Sequence, residues 1–362
     1  MVEGTEVVRL DPGHPDIAAV RRAAGVIRGG GLVAFPTETV YGLGADGLSA
    51  AAVERIFLAK GRPQDNPLIL HVAAPEDAHR VALDVSACAR RLMERFWPGP
   101  LTLVLPKRPE VPDVVSAGLP TVGVRMPDNI IALTLIAESG VPIAAPSANV
   151  SGRPSPTSAD HVIADLAGKI EMVLDGGPTT VGVESTVLDT TSTPPGVLRP
   201  GGVTVEELRD VLGEVSVLSA ESAARLEGPV PSPGMKYTHY APKTPVVLVE
   251  GEPDQVAGRI LREIQARHAT GETAGVMCSC ETEGLYRGQA DVVRVAGSRR
   301  DLATVAAALF ATLRLFDADG VDVVFAEGFD QAGLGFAIMN RLRRASGGRI
   351  IRAHMGTGVD PG

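Results

Sequence analysis

The stretch of the chain that most constrains its fold covers residues 32–70, which read LVAFPTETVYGLGADGLSAAAVERIFLAKGRPQDNPLIL. A short apolar run at residues 32–35 predicts a buried strand, which ends at Pro36 because proline donates no backbone hydrogen bond to a neighbouring strand. Ser49 is a typical N-cap, and it precedes a predicted helix over residues 50–60. A second apolar run follows. The stretch therefore predicts strand, helix and strand in succession, with polar residues where each element ends.

These polar residues indicate a site for an anionic ligand. Thr39 follows the first strand, and Lys60, Arg62 and Asn66 follow the helix. Open α/β sheets bind ligands at the carboxyl ends of their strands. The two cations also fit a solvated helix end, where they complement the helix dipole. Two prolines stiffen the loop around them, however, which favours a grip on a triphosphate or a carboxylate.

The glycines at positions 42, 44 and 47 match the pattern G-x-G-x-x-G. A dinucleotide-binding fold needs such glycines directly at the strand end, whereas residues 36–41 intervene here. We therefore interpret them as glycines that let the backbone turn near a ligand. A Walker A loop is also missing, because Gly168-Lys169 is followed by isoleucine and position 163 is not glycine. If the protein uses ATP, it does so outside the P-loop class.

A second group of polar residues lies between a predicted strand at residues 141–145 and a predicted helix at residues 158–166. Ser147, Asn149, Ser151 and Ser155 supply more hydroxyl and amide groups than a turn requires. Such donors at a strand-to-helix connection suit phosphate or ribose. The sequence therefore predicts that this segment contributes to the same site.

Further candidates stand at the ends of short strands. Arg125 and Arg199 each end an apolar strand, where a lone arginine needs an anion or an acidic partner, and Ser185 begins a strand after a glycine-rich turn. His71 is either a site residue or a strand histidine with satisfied hydrogen bonds. No Ser-His-Asp order, HExxH motif or acid–base carboxylate pair stands out. Hydroxyls, amides and cations position charged substrates and do not supply a protein nucleophile.

The chain predicts two α/β domains joined by a linker. Residues 1–212 form the first, residues 213–245 are proline-rich and too long for an ordinary connection, and residues 246–362 alternate strands and helices as in a small, mostly parallel sheet. Two tyrosines, a lysine and a histidine crowd into residues 236–240. This crowding favours a functional segment over a passive spacer.

Composition narrows the functional class. The net charge is −9, and neither half of the chain is basic, which speaks against a nucleic-acid binder. The three cysteines form no disulfide framework or metal-ligand set, which indicates a reducing compartment. We see neither a signal peptide nor an apolar run long enough to span a membrane. We therefore expect a soluble, cytoplasmic protein with no protein-held metal.

The ordered motifs resemble those of the YrdC family over nearly the whole chain. PTETVYGLG, KGRP with NPL, GVRMP, APSAN and the Ser-Thr strand after a glycine-rich turn occur in the family's order. SPGMKYTHYAP and GLGFAIMNRLRRAS are similar to the linker and C-terminal domain of its longer, two-domain members. The resemblance implies a large YrdC-like twisted mixed sheet with helices, plus a smaller Rossmann-like α/β domain.

The same resemblance implies an activity. Family members are L-threonylcarbamoyladenylate synthases, which join L-threonine, bicarbonate and ATP into threonylcarbamoyl-AMP and release pyrophosphate. The product feeds the threonylcarbamoyl modification of adenosine in tRNA through a downstream tRNA threonylcarbamoyl transferase. Mg²⁺ is expected with ATP, and direct RNA binding is expected to be weak or absent.

The resemblance also assigns residues. Those at threonine positions are Thr39, His71, Arg125, Ala145 and Ser185. Those at nucleotide positions are Arg62, Asn66, Thr121, Ser147, Asn149, Ser155 and Arg199. Lys60 falls at the phosphates, with Lys60 and Arg62 as the catalytic cations, and Tyr240 of the linker closes over the nucleotide.

Two other functions compete with this one. The first is a non-catalytic module that binds double-stranded RNA or tRNA on its sheet, which the acidic composition disfavours. The second is a carbamoyl-transfer maturation factor, which would carry zinc-finger cysteines that this chain lacks.

Overall fold

The computed structural model describes residues 4–218, 230, 232–233 and 240–353. The chain divides into two compact units. The first comprises Met1–Ser151 and Ser155–Tyr237, and the second comprises Gly152–Pro154 and Thr238–Gly362. The division between the units thus falls inside the segment that the sequence predicts as a linker.

The first unit is built on a sheet of mixed direction, as predicted. Its strands are β1 (Glu6–Arg9), β2 (Val33–Phe35), β3 (Gly42–Asp46), β4 (Ile69–His71), β5 (Leu101–Pro106), β6 (Thr121–Arg125), β7 (Ile143–Ala144), β8 (Met172–Asp175), β9 (Thr186–Asp189), β10 (Gly196–Arg199) and β11 (Ser216–Val217). Within the described residues, these eleven strands lie in the order β1-β8-β2-β3-β7-β4-β6-β5-β9-β10-β11. Strands distant in sequence are therefore neighbours in the sheet.

Helices cover this sheet and bury its apolar residues. They are α1 (Ile17–Arg28), α2 (Ala50–Lys60), α3 (Ala87–Phe96), α4 (Asp113–Ser116), α5 (Ile130–Ser139), α6 (Ala159–Leu166) and α7 (Val205–Leu212), with a 3₁₀ turn at Pro75–Arg80. Ser49 caps α2 as predicted, because its hydroxyl accepts a hydrogen bond from the backbone of Ala52. Helices α1 and α5 share one core with β2, β7 and β8, in which Ile27 and Leu135 are fully buried.

The second unit has a parallel sheet, as predicted. Its strands are β12 (Val246–Glu250), β13 (Ala274–Ser279), β14 (Val292–Gly297), β15 (Val323–Glu327) and β16 (Ile350–Arg352), in the order β14-β13-β15-β12-β16. All described pairings between them are parallel. The connecting helices are α8 (Pro253–Ala269), α9 (Glu283–Tyr286), α10 (Leu302–Asp319) and α11 (Leu334–Ala345). In the described residues, no helix combines the length and the apolar character needed to cross a membrane.

The beginning of the second unit is held by one carboxylate of α10. Asp317 accepts backbone hydrogen bonds from Lys243 at 2.6 Å and Thr244 at 3.2 Å, and it forms an ion pair with Arg153 at 3.1 Å. Tyr240 lies in the left-handed backbone region at φ 67°, and its ring packs on Phe310 with 5.2 Å between centroids. The end of the predicted linker is thereby part of the second unit's structure.

The interpretation of the glycines as turn residues is wrong for Gly42 and Gly44, whereas Gly47 does lie in a turn. Gly42–Asp46 forms β3, which pairs antiparallel with β2. Glycine is needed at these positions for close packing: a Cβ on Gly44 would approach two neighbouring side chains to 2.8 Å, and one on Gly47 would approach Leu70 Cδ2 to 2.5 Å. The pattern therefore marks a crowded strand and the turn that ends it.

A matched pair of alanine substitutions tests this packing. Gly47→Ala places a methyl group 2.8 Å from the Pro142 carbonyl oxygen as well as against Leu70, so we expect it to lower the free energy of unfolding by about 1–3 kcal/mol. Gly25→Ala lies in α1 with no atom within 4 Å of the new Cβ, and we expect a gain of about 0.5–1 kcal/mol from helix propensity. Urea unfolding followed by the fluorescence of Trp97, the single tryptophan of the chain, reports on the first unit. Equal midpoints for both variants would contradict the packing argument.

Candidate functional site

The loop at residues 36–41 lies between β2 and β3 and forms the centre of the candidate site. Its backbone is held by three segments that are distant in sequence. The bonds are Tyr41 N to Pro156 O at 2.9 Å, Ala148 N to Tyr41 O at 2.8 Å, Val181 N to Glu38 O at 2.7 Å and Gly182 N to Thr39 O at 3.1 Å. Because its backbone is fixed on both sides, the loop presents its side chains in a set orientation.

A hydrogen-bonded chain of hydroxyls runs from Arg125 into this loop. Arg125 Nη1 donates to Thr39 Oγ1 at 3.0 Å, the hydroxyls of Thr39 and Thr37 are 2.8 Å apart, and Thr37 donates to the Val40 carbonyl at 2.6 Å. Since the Thr37 proton goes to Val40, Thr39 is the donor to Thr37. Arg125 and Thr39, predicted from separate motifs, are therefore direct neighbours.

Arg125 is almost fully buried, and Glu38 supplies its counter-charge. Arg125 Nη2 lies 2.6 Å from Glu38 Oε1, and both side chains are less than a tenth exposed. Arg125 Nε also donates to the Gly99 carbonyl at 3.2 Å. The sequence predicts that an arginine in this position needs an anion or an acidic partner, and Glu38 is that partner.

His71 ends β4 directly opposite Arg125 on β6. Burial, with the charge of Arg125 as a second cause, lowers the pKa of His71 to about 3, so the imidazole is neutral near pH 7. Its Nδ1 is buried and has no hydrogen-bond partner in the described part of the chain. His71 therefore has one ring nitrogen without a partner there, and its role in ligand binding stays a prediction.

Lys60, at the end of α2, holds the segment that follows β7. Its Nζ donates to the carbonyls of Ser147 and Asn149, both at 2.5 Å, although the side chain is 2% exposed. The hydroxyl of Ser147 donates to the Asn149 side chain at 2.6 Å. A buried ammonium thus fixes the hydroxyl and amide groups that the sequence predicts to meet phosphate or ribose.

The guanidinium of Arg62 lies over the loop that the two prolines restrict. Its Nε donates to the carbonyl of Asn66 at 3.2 Å and its Nη2 to that of Pro67 at 2.9 Å. Asn66 is itself buried. These bonds hold the guanidinium of Arg62 in one place. In the sequence, only Gly61 separates Arg62 from Lys60.

Two further groups form where β9 begins. Ser155 Oγ donates to Glu184 Oε1 at 2.5 Å. Arg199 donates to the carbonyl and hydroxyl oxygens of Ser185, whose hydroxyl is 2.8 Å from that of Thr102. Ser185 and Arg199 are therefore direct partners, as their positions at neighbouring strand ends require.

Of the other predicted residues, Thr121 lies apart from this centre within the first unit, and Tyr240 belongs to the second unit. Thr121 begins β6 and Arg125 ends it, which separates them by roughly 13 Å. Tyr240 belongs to the second unit, where Arg341 lies over its ring at 5.4 Å. Ala145 bonds through its backbone to Ile69, between β7 and β4. The ligand assignments of all these residues stay predictions.

Sequence reasoning missed two buried carboxylates, Glu38 and Glu184, which are 7% and 6% exposed. Each stands beside a hydroxyl residue at the boundary of an apolar strand, in Thr-Glu-Thr and Glu-Ser-Thr. That signal was available, but burial of these acids depends on partners that are distant in the sequence. In the described residues, no group of three or more His, Cys, Asp and Glu side chains could hold a metal ion.

Comparison with known proteins agrees with the order of motifs. The family model Sua5_yciO_yrdC, described as "Telomere recombination", matches residues 25–201. The model Sua5_C, described as "Threonylcarbamoyl-AMP synthase, C-terminal domain", matches residues 203–347. Together they cover both units.

Similar proteins and structures span the full chain. Proteins named threonylcarbamoyl-AMP synthase from Pyrococcus abyssi and Bacillus subtilis are 53% and 50% identical, over 92% and 95% of this chain and 95% and 96% of their own. The crystal structure of P. abyssi Sua5 complexed with L-threonine superposes with a TM-score of 0.91 at 50% identity, covering 97% of this chain and all of that one. The chain therefore belongs to the threonylcarbamoyl-AMP synthase family, in the form that carries both the YrdC-like domain and the Sua5 C-terminal domain.

Proposed function

We propose that this chain joins L-threonine, bicarbonate and ATP into threonylcarbamoyl-AMP and releases pyrophosphate, as a nucleotidyltransferase acting on N-carboxy-threonine. One observation carries the proposal. The pair of Arg125 with Thr39 and the loop held by Lys60 are joined through the backbone of Tyr41, so cationic and hydroxyl groups converge on one place. Family membership supports it, because the relatives bear this activity as their name.

On the threonine side, Arg125 pairs with the substrate carboxylate, and the hydroxyls of Thr39 and Ser185 contribute hydrogen bonds to the substrate. A buried guanidinium suits a carboxylate because it donates two parallel hydrogen bonds. The neutral imidazole of His71 and the backbone of Ala145 complete the pocket. The P. abyssi relative, crystallised with L-threonine, supports threonine as the substrate.

On the nucleotide side, the substrate contacts come from cations, hydroxyls and amides. The residues are Lys60, Arg62, Asn66, Thr121, Ser147, Asn149, Ser155 and Arg199. Arg62, whose guanidinium is held by the carbonyls of Asn66 and Pro67, provides positive charge for the phosphates. Lys60 keeps Ser147 and Asn149 in place and adds positive charge behind them. Such preorganised charge stabilises the transition state without reorganising during the reaction.

The chemistry needs positioning more than a protein nucleophile. Threonine's amine and bicarbonate form a carbamate as a C–O bond of bicarbonate breaks and water leaves, and one carbamate oxygen attacks the α-phosphorus of ATP. The new P–O bond forms as the bond to the bridging oxygen breaks, and pyrophosphate leaves. Holding the carbamate in line with the α-phosphorus makes the attack effectively unimolecular, which lowers the entropic part of the barrier.

Mg²⁺ enters this proposal with ATP. The described residues contain no cluster of acids and histidines that would cage the ion. This fits an ion that keeps several waters and is bound largely through substrate phosphates. Its chemistry would be to neutralise the charge of the departing pyrophosphate.

The product is a mixed anhydride and must pass to a second enzyme. We assign that role to a tRNA threonylcarbamoyl transferase, which would place the reaction in the cytoplasm, with little direct RNA contact by this acidic chain. No observation favours the RNA-binding module.

A lid over the first unit belongs to the same proposal. Val230 and Ser232 of the linker are buried, and Pro233 lines a small cavity together with Pro67 and Thr121. Residues 230, 232 and 233 therefore belong to the first unit, and Pro233 lies close to Thr121, which we place on the nucleotide side. Residues 234–239 are outside the described residues, so the lid role of this segment and of Tyr240 is a prediction.

The first prediction concerns substrate dependence. Because the site offers no nucleophile, pyrophosphate release from ATP should require L-threonine and bicarbonate together. A coupled phosphate assay with each substrate omitted measures this. Equal release of pyrophosphate without threonine would contradict the proposed synthase activity.

The second prediction concerns Arg62. Arg62→Ala should lower kcat/KM by about 30- to 1,000-fold, equivalent to about 2–4 kcal/mol of lost transition-state stabilisation. Arg9→Ala is the matched control, because its side chain is 91% exposed on β1, and it should leave kcat/KM unchanged. The phosphate site would lie elsewhere if both variants behaved alike.

The third prediction concerns the linker. A lid must exclude water from a reactive anhydride, whereas a spacer need only connect. Replacing residues 234–239 by glycine and serine at equal length should therefore increase the share of AMP among the products, measured by chromatography. ATP with threonine should slow proteolysis within residues 237–241 of the unmodified chain. Identical cleavage rates and unchanged product ratios would reduce the segment to a tether.

A further inference from the structure

Glu38 is the one carboxylate that lies within ion-pair distance of Arg125 in the described residues. Its side chain is 7% exposed. Neither of its oxygens accepts a hydrogen bond from any residue that the structure describes, since the Arg125 N–H bonds are not aligned on it despite the 2.6 Å separation. A buried carboxylate normally fills its acceptor positions, because leaving them empty costs free energy.

The residues near Glu38 do not provide hydrogen-bond donors for its carboxylate oxygens. Arg125 on β6 faces Glu38, and His71 on β4 lies opposite Arg125. Glu184 follows a segment whose Val181 and Gly182 bond to the backbone of the loop at residues 36–41, and its own side chain accepts the Ser155 hydroxyl. The backbone of Glu38 is already bonded, through its carbonyl, to Val181. An additional cation with several N–H donors would satisfy the carboxylate.

We infer that Glu38 binds the ammonium group of threonine and accepts its proton when the carbamate forms. The inference rests on the proposed function. An α-amino acid carries its ammonium and carboxylate on one carbon, so the zwitterion matches the adjacent Glu38 and Arg125. On binding, the misaligned ion pair between Arg125 and Glu38 is replaced by two aligned ion pairs. Arg125 then pairs with the threonine carboxylate, and Glu38 pairs with the threonine ammonium.

The proton has to go to an acceptor, because an ammonium has no lone pair for attack. One proton passes from the threonine nitrogen to a Glu38 oxygen, and the freed pair forms the N–C bond with bicarbonate. A C–O bond of bicarbonate breaks, and the departing hydroxide takes the second nitrogen proton and leaves as water. His71 is a weaker acceptor, because burial and Arg125 hold its pKa at about 3.

The inference predicts a pH signature for Glu38→Gln. At about pH 7 its kcat/KM for threonine should fall about 100- to 10,000-fold, as for loss of a general base. The loss should shrink by about tenfold per pH unit toward about pH 9, because free amine then comes from solution. The KM for ATP should change little. A pH-independent loss would reduce Glu38 to a positioning residue for Arg125, and unchanged kcat/KM would overturn the inference.

Glu184→Gln is the matched control, since it also neutralises a buried carboxylate. Because Glu184 accepts from Ser155 on the nucleotide side, its loss should raise the KM for ATP and show no recovery at higher pH. The same recovery in both variants would contradict a specific role for Glu38.

A measurement on the unmodified protein does not depend on how Glu38→Gln folds. 3-Hydroxybutyrate keeps the carboxylate and hydroxyl of threonine but lacks the amine, so calorimetry should find it bound at least about tenfold more weakly. Equal affinity would overturn the inference. If the unmodified enzyme also released pyrophosphate without threonine and bicarbonate, the proposed function itself would fail, which is a separate outcome.

Discussion

The buried charge of Arg125 is the constraint on which the site of the first unit depends. A guanidinium held away from water must be paired and hydrogen-bonded. Here Gly99, Thr39 and Glu38 supply those partners from three different parts of the chain. The position of the loop at residues 36–41 is therefore stabilised by its hydrogen bond and ion pair with Arg125, which lies on β6.

Lys60 imposes the same kind of constraint on the nucleotide side. Its ammonium is buried against two carbonyls of the loop after β7, in which the Ser147 hydroxyl donates to the Asn149 side chain. A surface lysine would keep its mobility and contribute little to positioning. Removal of its charge would therefore affect loop geometry as well as the local potential, so Lys60 combines a structural role with a proposed catalytic one.

The second unit shows that buried charge is not by itself a sign of catalysis. Glu327 ends β15 with no exposed surface, and it accepts hydrogen bonds from Ser279, Thr282, Tyr286 and Arg299. This carboxylate is satisfied within the protein, whereas the side-chain carboxylate of Glu38 accepts no hydrogen bond from the described residues. Because the carboxylate of Glu38 lacks the hydrogen bonds that Glu327 has, Glu38 is a candidate for substrate contact.

Local signals determined much of this protein from its sequence. The helix at Ala50–Lys60, the strand at Thr121–Arg125 and the parallel second sheet follow from caps, apolar periodicity and alternation of elements, which act over a few residues. The ordered motifs also indicated the family. These signals are reliable because each depends on neighbours along the chain.

Only the tertiary structure decided how those residues meet. The glycines of β3 serve close packing, Lys60 faces carbonyls, and Glu38 becomes a buried partner of Arg125. In each case the deciding neighbour lies on a strand or loop far away in the sequence. Burial and ion pairing arise only when the chain brings these distant residues together, and no local sequence pattern encodes which residues meet.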